Sequence, residues 1–322
     1  MKNFECSCGQ TLFFENTLCL RCNEKVAFDS DSMTMGPISG RQLCQNAVDY
    51  NVCNWVVNKP EHNYCLSCGL NHTIPNLLEP GRRRWWKSLE IAKRRLIYSL
   101  LTLNLPVLNK RDSENGVAFE FIEDKRTNPS VFEEHVTTGH DNGLITINIA
   151  EADEVTREIS RQYTGELYRT LLGHFRHESG HYYYQLLVEQ RGNIEQFREL
   201  FGDERQDYGQ ALQYYYDNKY TMVRDPEMIS HYAQSHPLED FAEVWAHYLH
   251  MVDTLETASV YHMQQGSRHF DDIEELTAKW AELSIMLNAL NRSMGLEDAY
   301  PFVISEGALR KLRFVHDLIY PS

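Results

Sequence analysis

A histidine and glutamate pattern lies near the middle of the chain, where His177, Glu178 and His181 form the sequence H-E-x-x-H. On a helix, a spacing of four places both imidazoles on one face, one turn apart. Two neutral imidazole nitrogens at that spacing can bind one tetrahedral Zn²⁺ ion. Glu178 would then lie beside the metal, where it can take a proton from the attacking water and pass it to a leaving amine. The pattern therefore predicts hydrolytic zinc chemistry.

The residues around this motif are typical of a buried helix. No proline occurs between Ile159 and Val188, and apolar side chains recur through the stretch. A match of this length also arises by chance on surface helices, so the interpretation depends on a third ligand. A third histidine in the pattern H-E-x-x-H-x-x-G-x-x-H is excluded, because Tyr184 and Leu187 occupy the positions of its glycine and histidine.

A downstream segment offers two acidic candidates. Pro237 fits the first turn of a helix, and Glu239 and Glu243 would then lie one turn apart on the same face. One carboxylate can bind zinc while the other accepts a hydrogen bond from a zinc-bound imidazole. Two imidazoles and a carboxylate form a recognised hydrolytic zinc site. The residues alone leave other candidates open, which are Asp203, Glu204, Asp207, His174, His231, His236, His247 and His250. Of these, His174, His247 and His250 are expected to be packing or hydrogen-bonded core residues.

All eight cysteines precede residue 69, and they fall into two sets of four. The first set is Cys6, Cys8, Cys19 and Cys22, and the second is Cys44, Cys53, Cys65 and Cys68. Each set ends in C-x-x-C, which is how a zinc ribbon presents four thiolates to one ion. Four thiolates leave no open coordination position for water on the zinc ion, so the two zinc ions are predicted to be structural. A disulfide framework is the alternative, and His62 or His72 could replace a cysteine. The opening pair Cys6-Ser7-Cys8 is one residue shorter than usual, which puts the geometry of the first site in question.

Composition narrows the function classes. The chain has 322 residues, enough for two domains, and a net charge of −15 that argues against general nucleic-acid binding. The first residues, Met1 to Cys6, contain no apolar leader, and no apolar run approaches the length of a membrane span. We therefore expect a cytoplasmic protein without a membrane segment, in which disulfides are rare.

The remaining pattern predicts an α+β fold. Two strands are expected at 117–123 and 144–149, and mainly helix from Gly192 onward. The second strand either offers a sheet edge for an extended substrate or is an ordinary strand within the sheet. A basic helix is expected from Gly81 to Leu103, after a linker at Thr73–Pro80. Its cations between Arg82 and Arg95 either pair with the acidic body or contact nucleic acid or membrane. The predicted domains are a zinc-ribbon region at 1–75, with two Cys₄ sites, and a mainly helical domain at 76–322.

The segment Glu239-Asp240-Phe241-Ala242-Glu243 resembles the E-x-F-A-E segment of the gluzincins, including anthrax lethal factor. This resemblance implies that Glu239 is the zinc ligand and that Glu243 orients a zinc-bound histidine. It also implies that Tyr232, seven residues before the ligand, polarises the scissile carbonyl. The whole chain resembles bacterial zinc-binding metallopeptidases with an N-terminal zinc ribbon, which implies a zincin-like catalytic domain. The matching segments are the cysteine pairs, Val52 to Trp55, Ile147 to Ala152, His177 to His181, Phe201 to Arg205, and His236 to His247.

We therefore expect a zinc-dependent metallopeptidase with one catalytic and two structural zinc ions, acting on a peptide or protein substrate. The alternative from another class is a zinc-ribbon adaptor whose zincin-like domain only binds. The intact Glu178 argues against the adaptor, because a pure binding protein needs no general base. A third, weaker interpretation is a nucleic-acid-associated protein that uses the ribbons and Arg82 to Arg95. The sequence carries no prediction of the substrate's identity or of the oligomeric state.

Overall fold

The computed structural model describes residues 1–164, 169–264, 270 and 272–321. The strands are β1 (Phe4–Glu5), β2 (Thr11–Leu12), β3 (Val26–Asp29), β4 (Thr34–Pro37), β5 (Asn71–Thr73), β6 (Ala118–Ile122), β7 (Gly139–Asp141) and β8 (Leu144–Asn148). The helices are α1 (Gln45–Tyr50), α2 (Leu66–Gly69), α3 (Arg82–Thr102), α4 (Glu154–Thr164), α5 (Leu171–Tyr183), α6 (Ile194–Phe201), α7 (Tyr208–Asn218), α8 (Pro237–Val260), α9 (Ile273–Ser293) and α10 (Glu306–Ile319). Short 3₁₀ segments lie at Ile149–Ala152 and Tyr232–Ser235, and a π-helical segment at Tyr184–Glu189. The α+β class with cysteine-rich segments before a mainly helical part is as predicted.

The chain forms two compact units. The first comprises Met1–Tyr163 and Thr170–Phe175, and the second comprises Thr164–Arg169 and Arg176–Ser322. All the strands named above lie in the first unit. The domain boundary predicted near residue 75 stays a prediction.

An aromatic cluster forms the core around the cysteine-rich segments of the first unit. The ring of Phe28 lies 4.8 Å from that of Trp55 and 5.0 Å from that of Phe14, and all three are buried. Tyr98 of α3 joins the cluster, with its ring 5.3 Å from that of Phe14. Edge-to-face aromatic packing of this kind holds small cores together. Helix α3 therefore supplies part of the core that the short strands β1–β4 cannot build alone.

The four-stranded sheet has the order β5-β6-β8-β7, with β7 antiparallel to β8 and the other pairs parallel. Strands β6 and β8 were predicted within a residue or two of their observed bounds. The expectation that β8 offers an exposed sheet edge is wrong, because β7 pairs with it from Gly139↔Thr146 to Asp141↔Leu144. Asn142 and Gly143 between them both have positive φ, which is the conformation of a two-residue hairpin turn.

Helix α3 is the predicted basic helix, and several of its cations form contacts within the first unit. Arg82 pairs with Glu123 at 2.8 Å, and Lys93 pairs with Glu90 at 3.0 Å. Farther along, Arg95 donates to Glu15 at 2.7 Å. These contacts favour the interpretation in which acidic groups of the same unit neutralise the basic helix. They do not favour the interpretation in which the helix binds nucleic acid.

The motif helix differs from the continuous helix expected over Ile159–Val188. Residues 165–168, including the apolar position 167, lie outside the described residues, and Arg169 and Thr170 are not helical. Helix α5 begins at Leu171 because the Thr170 hydroxyl accepts a hydrogen bond from the Gly173 backbone N–H at 2.9 Å, as an N-cap does. After Tyr183 the helix widens into the π-helical segment, a rare form that often occurs at functional sites.

Helix α8 starts where the sequence predicts. Pro237 occupies its first turn, and the imidazole Nδ1 of His236 accepts a hydrogen bond from the Leu238 N–H at 3.2 Å. Phe241 on this helix is fully buried against Phe201, with their ring centroids 5.6 Å apart. Within the described residues, no helix is both long and apolar enough to span a membrane.

Helices α5 and α8 approach each other closely at Gly180. A Cβ added there would lie 2.8 Å from the Cα of Ala242 and 3.2 Å from the Cβ of Trp245. We expect Gly180→Ala to lower the free energy of unfolding by about 1–3 kcal/mol, because backbone must move to relieve the overlap. Urea denaturation measures this change. Gly139→Ala is the matched control, since nothing lies within 4 Å of its added Cβ. Equal stability of Gly180→Ala and wild type would contradict the close approach.

Candidate metal centres

The two motif histidines and Glu239 meet at one point in the second unit. The Nε2 atom of His177 lies 2.9 Å from Oε2 of Glu239, and Nε2 of His181 lies 3.3 Å from Oε1 of the same carboxylate. One ligand atom from each residue lies within 4.8 Å of the others. The four-residue spacing on α5 brings the imidazole centroids to 5.1 Å, and α8 places the carboxylate between them.

The chemistry of this donor set fits Zn²⁺. Two imidazole nitrogens and one carboxylate are three of the four ligands of a hydrolytic zinc ion, with one position left for water or substrate. Glu239 is only 1 % exposed, and a carboxylate so deeply buried needs cationic partners. Burial alone would raise the pKa of Glu239, but His181 and His177 outweigh burial and hold it well below its usual range. The carboxyl group is therefore ionised, as a metal ligand must be.

Glu243 lies behind His177, one helical turn after Glu239. Its Oε1 atom is 2.8 Å from Nδ1 of His177. An acceptor there fixes the tautomer with the proton on Nδ1, so that Nε2 faces Glu239. Burial opposes the charged imidazole, yet the hydrogen bonds to Glu239 and Glu243 raise the pKa of His177. The structure thus places Glu243 against the imidazole of His177, and its role in orienting a zinc ligand stays a prediction.

Glu178 and Tyr232 complete the surroundings of the three donors. Glu178 is 6 % exposed on α5, between the two histidines in sequence. The ring of Tyr232 lies 5.9 Å from that of His177. Burial, followed by the charge of Glu239, raises the pKa of Tyr232, so the phenol stays protonated and can donate a hydrogen bond. The roles of Glu178 as the base and of Tyr232 as the hydrogen-bond donor stay predictions.

The other candidate ligands have partners elsewhere. Asp203 binds Arg205 at 2.7 Å, and Glu204 binds Arg198 at 2.6 Å. Asp207 caps α7 through the Gln210 N–H. The remaining histidines contact Glu151 (His174), Tyr215 (His231), the Leu238 N–H (His236), Tyr300 (His247) and Arg176 (His250). Among the described residues, only Glu239 joins His177 and His181 as a possible third ligand.

Tyr208 is a member of this site that the sequence did not single out. Its hydroxyl donates a hydrogen bond to Oε1 of Glu239 at 2.6 Å. Burial, with the charge of Glu239, raises the pKa of Tyr208, so this donor stays protonated. The one sequence signal is Asp207, an N-cap residue that places Tyr208 at the first position of a helix. That signal locates the residue on α7 but says nothing about its contact with α8.

A cleft of about 440 Å³ opens beside the start of α7. Its walls include Asp207, Gln210, Tyr215 and Ser235. The ring of Tyr215 lies 5.6 Å from that of Tyr232, and the ring of Tyr232 lies 5.9 Å from that of His177. A cleft of this volume is large enough for one side chain of a bound peptide.

The first cysteine set converges despite its short opening pair. Sγ of Cys6 lies 3.7 Å from Sγ of Cys22, and Sγ of Cys8 lies 3.6 Å from Sγ of Cys19. Thiolates around one tetrahedral zinc ion are separated by roughly 3.8 Å, whereas a disulfide bond is about 2.05 Å long. The pKa of Cys19 is lowered to about 6, mainly by a hydrogen bond from the Cys22 backbone. This lower pKa favours the thiolate form of Cys19. Gly9, with φ of +79°, closes the tight turn after this pair.

The second cysteine set is fully buried. Sγ of Cys53 lies 3.6 Å from Sγ of Cys65, and Cys44 and Cys68 complete the group. Sγ of Cys65 also accepts a hydrogen bond from the Cys68 N–H at 3.5 Å, as the turn of a C-x-x-C pair provides. All eight cysteines are free thiols, so the disulfide alternative has no support in the structure.

Comparisons with known proteins show the family to which the chain belongs. A family model described as "Putative zinc-binding metallo-peptidase" matches residues 82–318, and a zinc-ribbon domain model matches residues 3–79. Uncharacterized proteins of Mycobacterium bovis and Mycobacterium tuberculosis are each 40 % identical to the chain over 333 residues. Those matches cover 99 % of this chain and 95 % of each relative. No solved structure matches the chain.

Proposed function

Because the chain belongs to the metallo-peptidase family just described, with a zinc-ribbon domain before it, we propose that it hydrolyses peptide bonds in a zinc-dependent reaction. The observation that carries the proposal is the convergence of His177, His181 and Glu239, beside a buried Glu178. This set leaves room for water and supplies a base, which is what a hydrolase needs and a binding module does not. Zinc bound there would acidify water and polarise the substrate carbonyl.

Each side chain has a separate role in this proposal. His177, His181 and Glu239 hold the zinc ion, while Glu243 keeps the Nδ1 proton on His177. Glu178 removes the proton from the attacking water and delivers it to the leaving nitrogen, so one carboxylate acts first as base and then as acid. Tyr232 donates a hydrogen bond to the carbonyl oxygen as negative charge develops on it. The substrate is a peptide or protein segment, with one of its side chains in the cleft beside α7.

The two cysteine sets hold structural zinc in this proposal. Four thiolates leave no position for water, so these ions stabilise the fold without taking part in hydrolysis. The division into a zinc-ribbon region at 1–75 and a catalytic domain at 76–322 is part of the same proposal. Free thiols as ligands suit a reducing compartment, and we propose the cytoplasm.

Metal content tests the proposal. We expect three equivalents of zinc per chain by elemental analysis, and cleavage of an unfolded protein substrate that stops when a chelator removes one equivalent. The weakest-bound equivalent should be the catalytic one, because three protein ligands hold it while four thiolates hold each of the others. Two equivalents, with no cleavage at any zinc concentration, would instead support the adaptor alternative and refute the peptidase.

A further inference from the structure

Tyr208 donates a hydrogen bond to Glu239, and the proposed hydrolysis assigns no role to this contact. Glu239 has two carboxylate oxygens, and the structure gives them different neighbours. Oε2 lies 2.9 Å from Nε2 of His177, whereas Oε1 accepts the Tyr208 hydroxyl at 2.6 Å and lies 3.3 Å from Nε2 of His181. A charge-assisted hydrogen bond of this length is among the stronger ones in proteins. It also restrains rotation of the carboxylate about its last bond.

Tyr208 is itself held by the start of α8. Its ring lies 5.1 Å from the ring of His236, which is 3 % exposed. Nδ1 of His236 accepts from the Leu238 N–H at 3.2 Å, and Nε2 lies 3.3 Å from the Gln206 carbonyl oxygen. One neutral tautomer satisfies both contacts, because Nδ1 accepts and Nε2 donates. His236 therefore ties the residues just before α7 to the first turn of α8.

We propose that Tyr208 is a positioning residue for the zinc site, which holds the Glu239 carboxylate through Oε1 in the orientation that faces the Nε2 atoms of His177 and His181. This inference rests on the proposed function only in taking Glu239 as a ligand. Hydrogen-bonded partners of metal ligands fix the orientation of the ligand and typically contribute 10- to 100-fold to metal affinity. Tyr208, held by His236, thus orients Glu239 in the way that Glu243 orients His177. The carboxylate ligand and this imidazole ligand each have a hydrogen-bonding partner that fixes their orientation.

Tyr208→Phe tests the inference, because it removes one hydroxyl and keeps the ring against His236. We expect the dissociation constant of the weakest-bound zinc to rise about 10- to 100-fold, measured by competition with a chromophoric chelator. With Co²⁺ in place of zinc, the visible spectrum should shift, since the carboxylate is free to change its binding mode. Tyr220→Phe is the matched control, because that ring is 75 % exposed, and it should change neither quantity.

The measurement separates this inference from the proposed function. Zinc affinity is read without substrate, so Tyr208 can be judged even if the protein cleaves no peptide. Tyr232→Phe offers the contrast, with unchanged zinc affinity and lower kcat if its role is to stabilise the oxyanion. An unchanged zinc dissociation constant and Co²⁺ spectrum in Tyr208→Phe would overturn the positioning role. A loss of kcat alone in that variant would make Tyr208 a substrate contact instead.

Discussion

Glu178→Gln is expected to retain three equivalents of zinc and to lose about 10²- to 10⁴-fold in kcat, which is the usual contribution of a general base. Gln has nearly the same shape as Glu and carries no charge, so the packing of α5 is preserved while the proton acceptor is removed. Glu178 is 6 % exposed, which excludes bulk water as an efficient substitute. Elemental analysis and cleavage of an unfolded protein substrate measure the two halves of the prediction.

The matched control for this variant is Glu195→Gln, which makes the same chemical change at a side chain that is 81 % exposed. Glu195 forms a surface pair with Arg198, and such pairs contribute little to stability or activity. We expect its zinc content and kcat to equal those of wild type. If Glu178→Gln cleaves as fast as this control, another group is the base. If it loses zinc instead, Glu178 supports the metal site and the assignment of its role is wrong.

Local sequence rules were sufficient to predict which side chains share a face of a regular helix and where such a helix begins. The spacing of His177 and His181 places both side chains on one face of any helix. Pro237 predicts the first turn of the helix that carries Glu239. The choice of Glu239 over Glu243 needed the family resemblance, because both carboxylates share one face of α8. The geometry shows why the two are not equivalent, since Glu239 reaches both Nε2 atoms and Glu243 reaches only Nδ1 of His177.

Contacts between distant segments were beyond sequence reasoning. Tyr208 meets Glu239 only because His236 ties the start of α7 to the start of α8, and neither spacing nor residue type predicts that arrangement. The pairing of β7 with β8 was also missed, although Asn142-Gly143 is a hairpin signal that a stricter search for turns would have used. Tertiary packing thus decided the contact of Tyr208, whereas the β7–β8 hairpin follows from a local turn signal.

Cys65→Ser is expected to remove one equivalent of zinc and to leave the first unit unfolded or severely destabilised. Structural zinc sites contribute about 10–16 kcal/mol in small zinc-finger peptides, which exceeds the whole stability of a typical domain, about 5–15 kcal/mol. Cys65 is fully buried, so a serine there leaves a hydroxyl in place of a metal ligand inside the core. Circular dichroism on heating, limited proteolysis and elemental analysis measure the loss.

We expect zinc to be harder to remove from the second cysteine site than from the first, because the buried guanidinium of Arg94 lies beside the second site. Arg94 of α3 is 3 % exposed and donates to the Val52 carbonyl oxygen at 2.7 Å, one residue from Cys53. Burial would lower the pKa of Arg94, but the charges of Cys53 and of Glu90 outweigh burial and raise it. Loss of the thiolate charges would remove part of the negative charge that balances this guanidinium. Glu90 remains as a counter-charge but also pairs with Lys93, so Arg94 loses part of its charge balance together with the zinc.

Cys22→Ser is the informative comparison for Cys65→Ser. Cys22 is exposed, and its site joins β1 and β2, which are only two residues each, to the neighbouring loop. We expect this variant to lose one equivalent of zinc as well, but to keep α3 and the aromatic cluster around Phe28 folded. A melting temperature of Cys65→Ser equal to that of Cys22→Ser would contradict the argument. The four buried thiolates would then be dispensable to the core, and Arg94 would need a different counter-charge.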